Sequence, residues 1–346
     1  MKKRFLSLLT IVLFALTINL PGSAEKKISS KAQKVMKEAF AAIKDRKAEE
    51  AVALFQKVIE LEPEYAIPYF NIGVIYWQMG KMEEAVGFFE NAVKNQPDYD
   101  HAVKALHKSL YDLGVKANGA QEYEKSNGYL QRLLARPGIE SSDKTIAINA
   151  AYVCGVNFYY LRKFSEAIDA FNKCLGFGDL EQESFATFSN IIYFQGMNHH
   201  QLSRYGESNK YFLRFLDLFK AGDRTSEFLP QAWFFVGTNL YLELEPKVGA
   251  MKEDELAAKA REIEPYFLKA IELKVPIENA HVMLGNLYAY EKNYELAQKT
   301  YTELVTFYPQ SPDIAKYRVF LEKLGTLIQQ QKQAAAKAAK APAKKK

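Results

Sequence analysis

Aromatic and amide side chains return at fixed intervals in this sequence, and together they suit contact with an extended peptide. Around Gly155, Asn149 lies six residues before the glycine, Tyr152 three before and Tyr159 four after. A side-chain amide can pair with a peptide backbone, and a rigid ring offers large contact area at low entropy cost. Similar spacing around other glycines completes the predicted binding set: Phe70, Trp77, Asn149, Tyr152, Tyr159, Asn190, Tyr193, His200, Phe234, Tyr241, Asn279 and Asn286.

The aromatic members of this set have a second interpretation as ordinary core residues. Positions three before, one after and four after each glycine share one face of a helix, and we call them the first-helix stripe. If neighbouring helices pack tightly, the stripe is buried and stabilises the fold instead of binding a partner. Replacing Tyr159, His200 and Tyr241 with Ala separates the two interpretations, because loss of helicity would identify them as core.

Catalytic and metal-binding chemistry has little support in the sequence. The adjacent His199 and His200 point to different faces of one helix, so they cannot easily share a metal ion. The sequence has no phosphate-binding loop, no nucleophile elbow and no pair of cysteines spaced as CxxC. We therefore predict no catalytic residue, no metal site and no cofactor, and a protein that is not an enzyme.

The two cysteines, Cys154 and Cys174, lie on facing sides of a predicted helix pair. One interpretation is a pair of buried apolar thiols that fill the core. The other is a disulfide, which an oxidising compartment would permit and which would stabilise the fold by roughly 3 kcal/mol. Both interpretations stay open from the sequence.

The spacing of small and aromatic residues defines the elements that position all of these side chains. After Gly73, Ala85 follows at twelve residues, Phe89 at sixteen, Ala92 at nineteen and Pro97 at twenty-four. Small residues on both helices let two backbones approach, and proline ends the second helix. The pattern predicts antiparallel helix pairs, and it returns in whole or part from five further positions: Ala39, Gly155, Gly196, Gly237 and Gly285.

This pattern resembles the tetratricopeptide repeat family over roughly residues 32–311, on the following residues: Tyr69, Ile72, Gly73, Tyr76, Gly80, Ala85, Phe89, Ala92 and Pro97. The resemblance implies an all-α fold, a right-handed α-α superhelix (solenoid) of about seven helix pairs with a C-terminal capping helix. We place an N-terminal arm at 25–138, with pairs at 32–65, 66–99 and 100–138. A C-terminal arm at 139–311 holds pairs at 148–181, 189–222, 230–276 and 278–311.

Two parts of the predicted array depart from the pattern. The third pair is the weakest, because its second helix, near 121–136, lacks the register of small residues. A joint is predicted after it at Pro137-Gly138. In the sixth pair an insertion at 244–254 carries Pro246 and Gly249, which predicts a loop between the paired helices.

The first 24 residues have the order of a secretory signal. Positive charges precede an uncharged stretch of 16 residues, Phe5–Leu20, and small residues then lead to Ala24. The stretch is shorter than the ~20 residues of a membrane-spanning helix. We predict a signal peptide at 1–24, cleavage near Ala24 and a periplasmic or secreted protein; an uncleaved N-terminal anchor is the alternative.

The C-terminal end is basic, whereas the body of the chain is not. A capping helix is predicted at 312–330 and an Ala/Lys-rich tail at 331–346 that is disordered or a frayed helix, with six lysines and no acid. Subtracting the three positive charges of the leader and the six of the tail from the net +5 leaves about −4 for residues 25–330. The mildly acidic body therefore argues against nucleic acid as a partner.

Three functions follow as hypotheses. The first is an exported scaffold or adaptor that binds a protein or peptide in its concave groove, in envelope assembly or secretion. The second is a structural module whose basic tail weakly contacts anionic membrane or cell wall. An enzyme or ligand-binding enzyme subunit is the third and weakest, since the sequence offers no deep polar pocket.

Overall fold

The computed structural model describes residues 27–220, 222, 224–273 and 277–340, and these residues fold into helices without strands. Seven helix pairs follow along the chain: α1 (Ser30–Lys44) with α2 (Ala48–Leu61), α3 (Ala66–Gln78) with α4 (Met82–Asn95), α5 (Asp100–Gly119) with α6 (Tyr123–Leu134), α8 (Lys144–Tyr160) with α9 (Phe164–Leu175), α11 (Phe185–Gln201) with α12 (Tyr205–Leu218), α13 (Leu229–Leu244) with α14 (Glu253–Glu272), and α15 (Glu278–Tyr290) with α16 (Tyr294–Phe307). Short helices α7 (Ile139–Ser142) and α10 (Leu180–Glu183) precede the fourth and fifth pairs, and α17 (Ile314–Lys340) follows the seventh. The predicted all-α fold of about seven pairs is confirmed.

The chain divides into two compact units. The first holds residues 27–163 and 172–177, and the second holds 164–171 and 178–340. Pairs one to three and α8 therefore belong to the first unit, and pairs five to seven with α17 belong to the second. Each unit has a core of aromatic and aliphatic side chains from both helices of its pairs, such as Phe55 in the first unit and Phe267 in the second.

A left-handed residue ends the first helix of six pairs. In the second pair Gly80 has a φ of 79°, and the Lys81 N–H donates to the Tyr76 carbonyl across it at 2.9 Å. This hydrogen bond spans six residues and is one of the two bonds of a Schellman motif, which closes the helix and reverses the chain. The equivalent residues with positive φ in the other pairs are Arg46, Gln121, Arg162, Ser203 and Lys292.

A glycine on the first helix sets the distance between the paired helices. A Cβ atom added at Gly73 would lie 2.6 Å from a ring carbon of Phe89, well inside van der Waals contact. In the second unit, a Cβ at Gly196 would lie 2.8 Å from Phe212. The predicted close approach of small residues to an aromatic ring is therefore confirmed in both units.

The third pair follows the same register, contrary to the sequence-based expectation. Gly114 takes the glycine position, and a Cβ there would lie 2.4 Å from Leu130. Ser126 stands twelve residues after Gly114, where most other pairs have Ala or Ser, and it is fully buried. The expectation was wrong because serine and leucine replace the usual alanine and phenylalanine.

The connections around these pairs follow the sequence-based expectations only in part. Pro137-Gly138, the predicted joint, forms a turn into α7 with a Gly138 φ of 72°. The insertion in the sixth pair contains a 3-10 helix, Glu245–Ala250, because the segment is long enough for local hydrogen bonds to form. Helix α17 runs to Lys340, ten residues past the predicted end at 330, because Ala, Gln and Lys favour helix. The predicted signal peptide at 1–24 and residues 341–346 of the predicted tail lie outside the described residues.

Candidate binding surface

In the first unit, the predicted binding residues lie on a half-buried face of α3 and α8. Phe70 and Trp77 are half-buried on α3, and Tyr152 and Tyr159 are half-buried on α8. The Phe70 ring packs on Phe89 and Tyr99, with ring centroids 5.9 and 5.2 Å apart. Phe70 is therefore held in place by core contacts, while part of its ring still faces solvent.

Helix α5 of the third pair contributes to the same stripe, although none of its residues was among the predicted binding residues. Tyr111, Val115 and Asn118 stand three before, one after and four after Gly114; Tyr111 and Asn118 are half-buried, and Val115 is 39% exposed. The signal that would have revealed them is an interval of 41 residues between successive glycines, Gly73, Gly114, Gly155, Gly196 and Gly237. With α5 included, the stripe of the first unit repeats with an aromatic ring followed by valine in three consecutive pairs: Phe70 and Val74, Tyr111 and Val115, Tyr152 and Val156.

In the second unit, two predicted binding residues are buried. Tyr193 is 6% exposed and stacks on Phe228, with ring centroids 4.4 Å apart. Tyr241 is 4% exposed, and its hydroxyl lies 3.2 Å from that of Tyr290. Burial raises the pKa of Tyr241 above its usual range. Both rings therefore contribute to packing in the second unit, as the core interpretation expects, whereas His200 and Phe234 remain half-buried.

The predicted amide residues have different environments. Asn149 is half-buried and its side chain hydrogen-bonds with Tyr111, whose pKa is raised by burial despite this bond. Asn190 is half-buried and Asn279 is exposed. Asn286 is committed within the protein, because its Nδ2 donates to the Tyr241 hydroxyl at 3.1 Å and its Oδ1 accepts from the Tyr301 hydroxyl at 2.8 Å.

A buried polar network connects the stripe of the first unit to its core. The Ser126 hydroxyl donates to the Gly114 carbonyl at 2.8 Å. The fully buried Asn157 donates from Nδ2 to Ser126 Oγ and to Asn127 Oδ1, both at 2.8 Å. Asn118, on the stripe, donates to Asn157 Oδ1 at 2.5 Å. None of these four side chains was among the predicted binding residues.

The second unit contains the same network 82 residues further along the chain. The Ser208 hydroxyl donates to the Gly196 carbonyl at 2.8 Å. The fully buried Asn239 donates to Ser208 Oγ at 2.8 Å and to Asn209 Oδ1 at 2.7 Å. His200 takes the place of Asn118, with its Nδ1 2.6 Å from Asn239 Oδ1. The two networks differ only in the side chain that reaches the stripe.

The side chains that most often carry reactivity are packed within the helices. Cys154 and Cys174 are buried and not bridged, the Cys174 thiol donates to the Ile148 carbonyl, and burial raises the pKa of each to about 12. The buried His199 stacks on Tyr211, and burial lowers its pKa. Within the described residues, no group of three His, Cys, Asp or Glu side chains is placed to hold a metal ion.

A further finding concerns membranes. Among the described helices, none combines the length and apolar character that a transmembrane span needs.

Comparison with known proteins gives matches at the level of the repeat. Two family models, each described as tetratricopeptide repeat, match residues 42–110 and 279–311. Among curated proteins, none matches this sequence.

Several solved structures are similar to this chain. YrrB, a TPR protein with an unusual peptide-binding site, is 18% identical over 76% of this chain and 97% of its own, with a TM-score of 0.37. PilF of Pseudomonas aeruginosa is 17% identical over 73% of this chain and 96% of its own, with a TM-score of 0.40. The C-terminal part of a TPR repeat-containing protein from Cytophaga hutchinsonii is 14% identical over 82% and 98%, with a TM-score of 0.42.

Helix pairs in one register and family-model matches near both ends lead to the same assignment. The fold is a scaffold typical of contacts between proteins, which implies a protein or peptide partner. The chain therefore contains tetratricopeptide repeats, which the family models match at residues 42–110 and 279–311.

Proposed function

We propose that this protein is an exported, non-enzymatic scaffold that binds an extended segment of another protein along the first-helix stripe. The observation that carries this proposal is the half-buried row of rings and valines on α3, α5 and α8, which returns every 41 residues. A row of this kind presents regularly spaced apolar contacts, which match the side chains of an extended peptide. The rings are already half-buried in the protein, so little side-chain entropy is lost on binding.

The charge around the row favours a segment without strong charge. The residues of the row itself are neutral, and the charged Lys108 and Asp112 of α5 pair with each other at 3.1 Å. A neutral apolar row binds apolar and aromatic side chains better than ionised ones, because burying an unpaired charge is costly. The expected partner segment is therefore extended, apolar at alternate positions and low in charge.

Selection from a random library of 12-residue peptides tests binding. The purified protein should select peptides rich in apolar residues, and Trp77→Ala, Val115→Glu or Tyr159→Ala should each weaken binding at least fivefold. The matched control is Leu213→Glu on α12, because Leu213 is 45% exposed and lies outside the stripe. Equal weakening by the control, or no weakening by the stripe variants, would contradict this binding surface.

The exported location is part of the proposal and rests on the order of residues 1–24. Fusing these residues to a reporter enzyme that is active only outside the cytoplasm should give activity. The N-terminus of the processed protein should be Glu25. A cytoplasmic, unprocessed product would remove the proposed roles in envelope assembly and secretion, but not the binding surface.

A second candidate function, contact with an anionic surface, is favoured by the end of α17. Among residues 314–337 of this helix the last buried one is Ile328, and residues 329–337 are exposed and include Lys332 and Lys337. Deleting residues 333–346 should abolish sedimentation with vesicles of anionic lipid at low salt, and high salt should do the same for the full chain. Binding that survives the deletion would contradict this function.

A further inference from the structure

We propose that Asn118 and His200 each present a hydrogen-bond acceptor of fixed orientation to the main-chain N–H of a bound peptide. This inference rests on the proposed function and specifies the chemistry by which the peptide backbone is recognised. It concerns each unit by itself, since each has its own network. The two residues stand four after Gly114 and four after Gly196, at one register position of the stripe.

A backbone carbonyl fixes the polarity of the network in the first unit. The Gly114 carbonyl can only accept, so the single hydroxyl proton of Ser126 is used in that 2.8 Å bond. Asn157 must therefore turn Nδ2, its donor, toward Ser126 Oγ, and the second Nδ2 proton goes to Asn127 Oδ1. Asn157 then has only Oδ1 left for Asn118, which faces it with Nδ2.

The same polarity determines which atom of Asn118 faces away from the core. Its nitrogen is held against the fully buried Asn157, so Oδ1 is the amide atom turned away from the network. Asn118 is half-buried and lies one turn beyond Gly114, on the face that carries Tyr111 and Val115. An amide whose orientation is fixed in this way accepts a hydrogen bond without first having to rotate.

In the second unit the network fixes the tautomer of His200. The Gly196 carbonyl, Ser208 and Asn239 repeat the same sequence of donors and acceptors, which leaves Asn239 Oδ1 facing His200 Nδ1 at 2.6 Å. Two acceptors cannot share a hydrogen bond, so Nδ1 carries the proton. In this tautomer the lone pair of the ring lies on Nε2, and Phe235 flanks the ring at a centroid distance of 4.9 Å.

Asparagine and histidine have different shapes, yet both place a neutral acceptor at this position. A cationic ligand would be bound better by a carboxylate, because charge-assisted hydrogen bonds are roughly twice as strong. A neutral acceptor suits a neutral donor, and an extended peptide offers main-chain N–H groups between its apolar side chains. The shared chemistry of the position therefore identifies the peptide backbone as what is bound.

The tautomer can be measured without any ligand. In the ¹⁵N-labelled full chain, long-range ¹H–¹⁵N correlations of the His200 ring should show the proton on Nδ1. Asn239→Ala should move part of the population to the Nε2–H tautomer, whereas Asn209→Ala should leave Nδ1–H dominant. A wild-type ring protonated on Nε2 at neutral pH would overturn the inference for the second unit.

Binding is tested with the 12-residue peptides selected from the random library, each also made with one N-methylated backbone nitrogen at a time. Exchange of the acceptors, Asn118→His or His200→Asn, should keep affinity within about twofold, whereas Asn118→Leu or His200→Leu should weaken it about fivefold. For peptides bound by the first unit, one N-methylated position should cause the same loss as Asn118→Leu and add nothing to it.

The outcomes separate this inference from the proposed function. If Trp77→Ala and Tyr159→Ala weaken binding but Asn118→Leu and N-methylation do not, backbone recognition is overturned and the binding surface stands. If the exchange variants lose affinity as strongly as the leucine variants, residue shape matters rather than the acceptor, and the inference is overturned. If no peptide is selected, or none depends on the stripe, both proposals fail.

Discussion

The two compact units share one register but differ in how their first-helix stripes are covered. In the first unit Trp77 and Tyr159 are half-buried and Val115 is 39% exposed. In the second, Tyr193 and Tyr241 are only 6% and 4% exposed. Tyrosines at the same register positions are thus half-buried in the first unit, at Tyr152 and Tyr159, and buried in the second, at Tyr193 and Tyr241.

The difference arises from the residues that cover the stripe, not from the helices that carry it. Tyr193 is covered by Phe228, which lies in the segment before α13. Tyr241 is covered by Tyr290 from the following pair, with hydrogen bonds that also include Asn286. The covering residues are distant in sequence, so a stripe pattern alone does not show whether a site is open.

The largest expected effect tests what the two units share. Phe89→Ala and Phe267→Ala each remove a ring packed against a glycine, and each should lower the free energy of unfolding of its own unit by about 3–5 kcal/mol. Urea unfolding followed by fluorescence separates the units, because Trp77 lies in the first and Trp233 in the second. Leu213→Ala, at a 45% exposed position, is the control with little expected change. A large loss in only one unit would contradict the shared register.

The next effect tests how the units differ. Tyr241→Ala should destabilise the second unit by about 3 kcal/mol, because a buried ring and its hydrogen bonds are lost. Tyr159→Ala, at the same register position in the first unit, should cost only about 1 kcal/mol but weaken peptide binding. Urea unfolding and peptide titration of both variants give the comparison. Equal destabilisation would mean that both stripes are core.

Breaking either buried network should lower the free energy of unfolding by a smaller amount, which is the same in both units. Asn157→Ala and Asn239→Ala each leave a buried serine hydroxyl and a second amide with unsatisfied polar groups, which should cost about 2 kcal/mol in either unit. Asn91→Ala is the control, since Asn91 is an exposed helix residue that donates only to the Gly87 carbonyl. Urea unfolding, followed by the fluorescence of Trp77 for the first unit and Trp233 for the second, measures the loss in each variant. Unequal losses of unfolding free energy in the two variants would show that the networks are not equivalent.

Much of the fold was predictable because the close approach of two helices imposes a local rule on residue size. Gly73, Ala85 and Phe89 reveal a pair by type and spacing, and the predicted count of about seven pairs is confirmed. The rule failed for the third pair because Ser126 and Leu130 satisfy the same steric demand with less familiar side chains.

The candidate site was less predictable, because exposure and hydrogen bonding depend on contacts between pairs. Tyr193 and Tyr152 occupy one register position, yet only Tyr193 is buried, through a residue outside both of its paired helices. The role of Asn239 depends on Ser208 and His200, which lie 31 and 39 residues away. Helical periodicity describes one helix face at a time and does not include such partners.

The smallest expected effect concerns a carboxyl group of the second unit. Glu291 is 10% exposed in its side chain and its Oε1 has no hydrogen-bond partner among the described residues. Burial, and then the charge of Glu264, raise the pKa of Glu291, while Arg261 opposes the shift. Ionised Glu291 therefore destabilises the folded unit. Its contribution to stability is complete below the unfolded pKa of a glutamate and is lost as pH rises through the raised folded pKa.

Glu291→Gln should therefore raise the thermal midpoint of the second unit at pH 7 by about 1–2 °C. The gain should shrink as pH falls and vanish below about pH 4. Glu295→Gln, at a largely exposed side chain that pairs with Lys332, should show no such pH-dependent gain. Thermal unfolding across this pH range checks both variants. A lower midpoint for Glu291→Gln at pH 7 would mean that the pair with Arg261, whose Nε lies 3.5 Å from Oε2, outweighs burial, and that the second unit carries no electrostatic cost at this site.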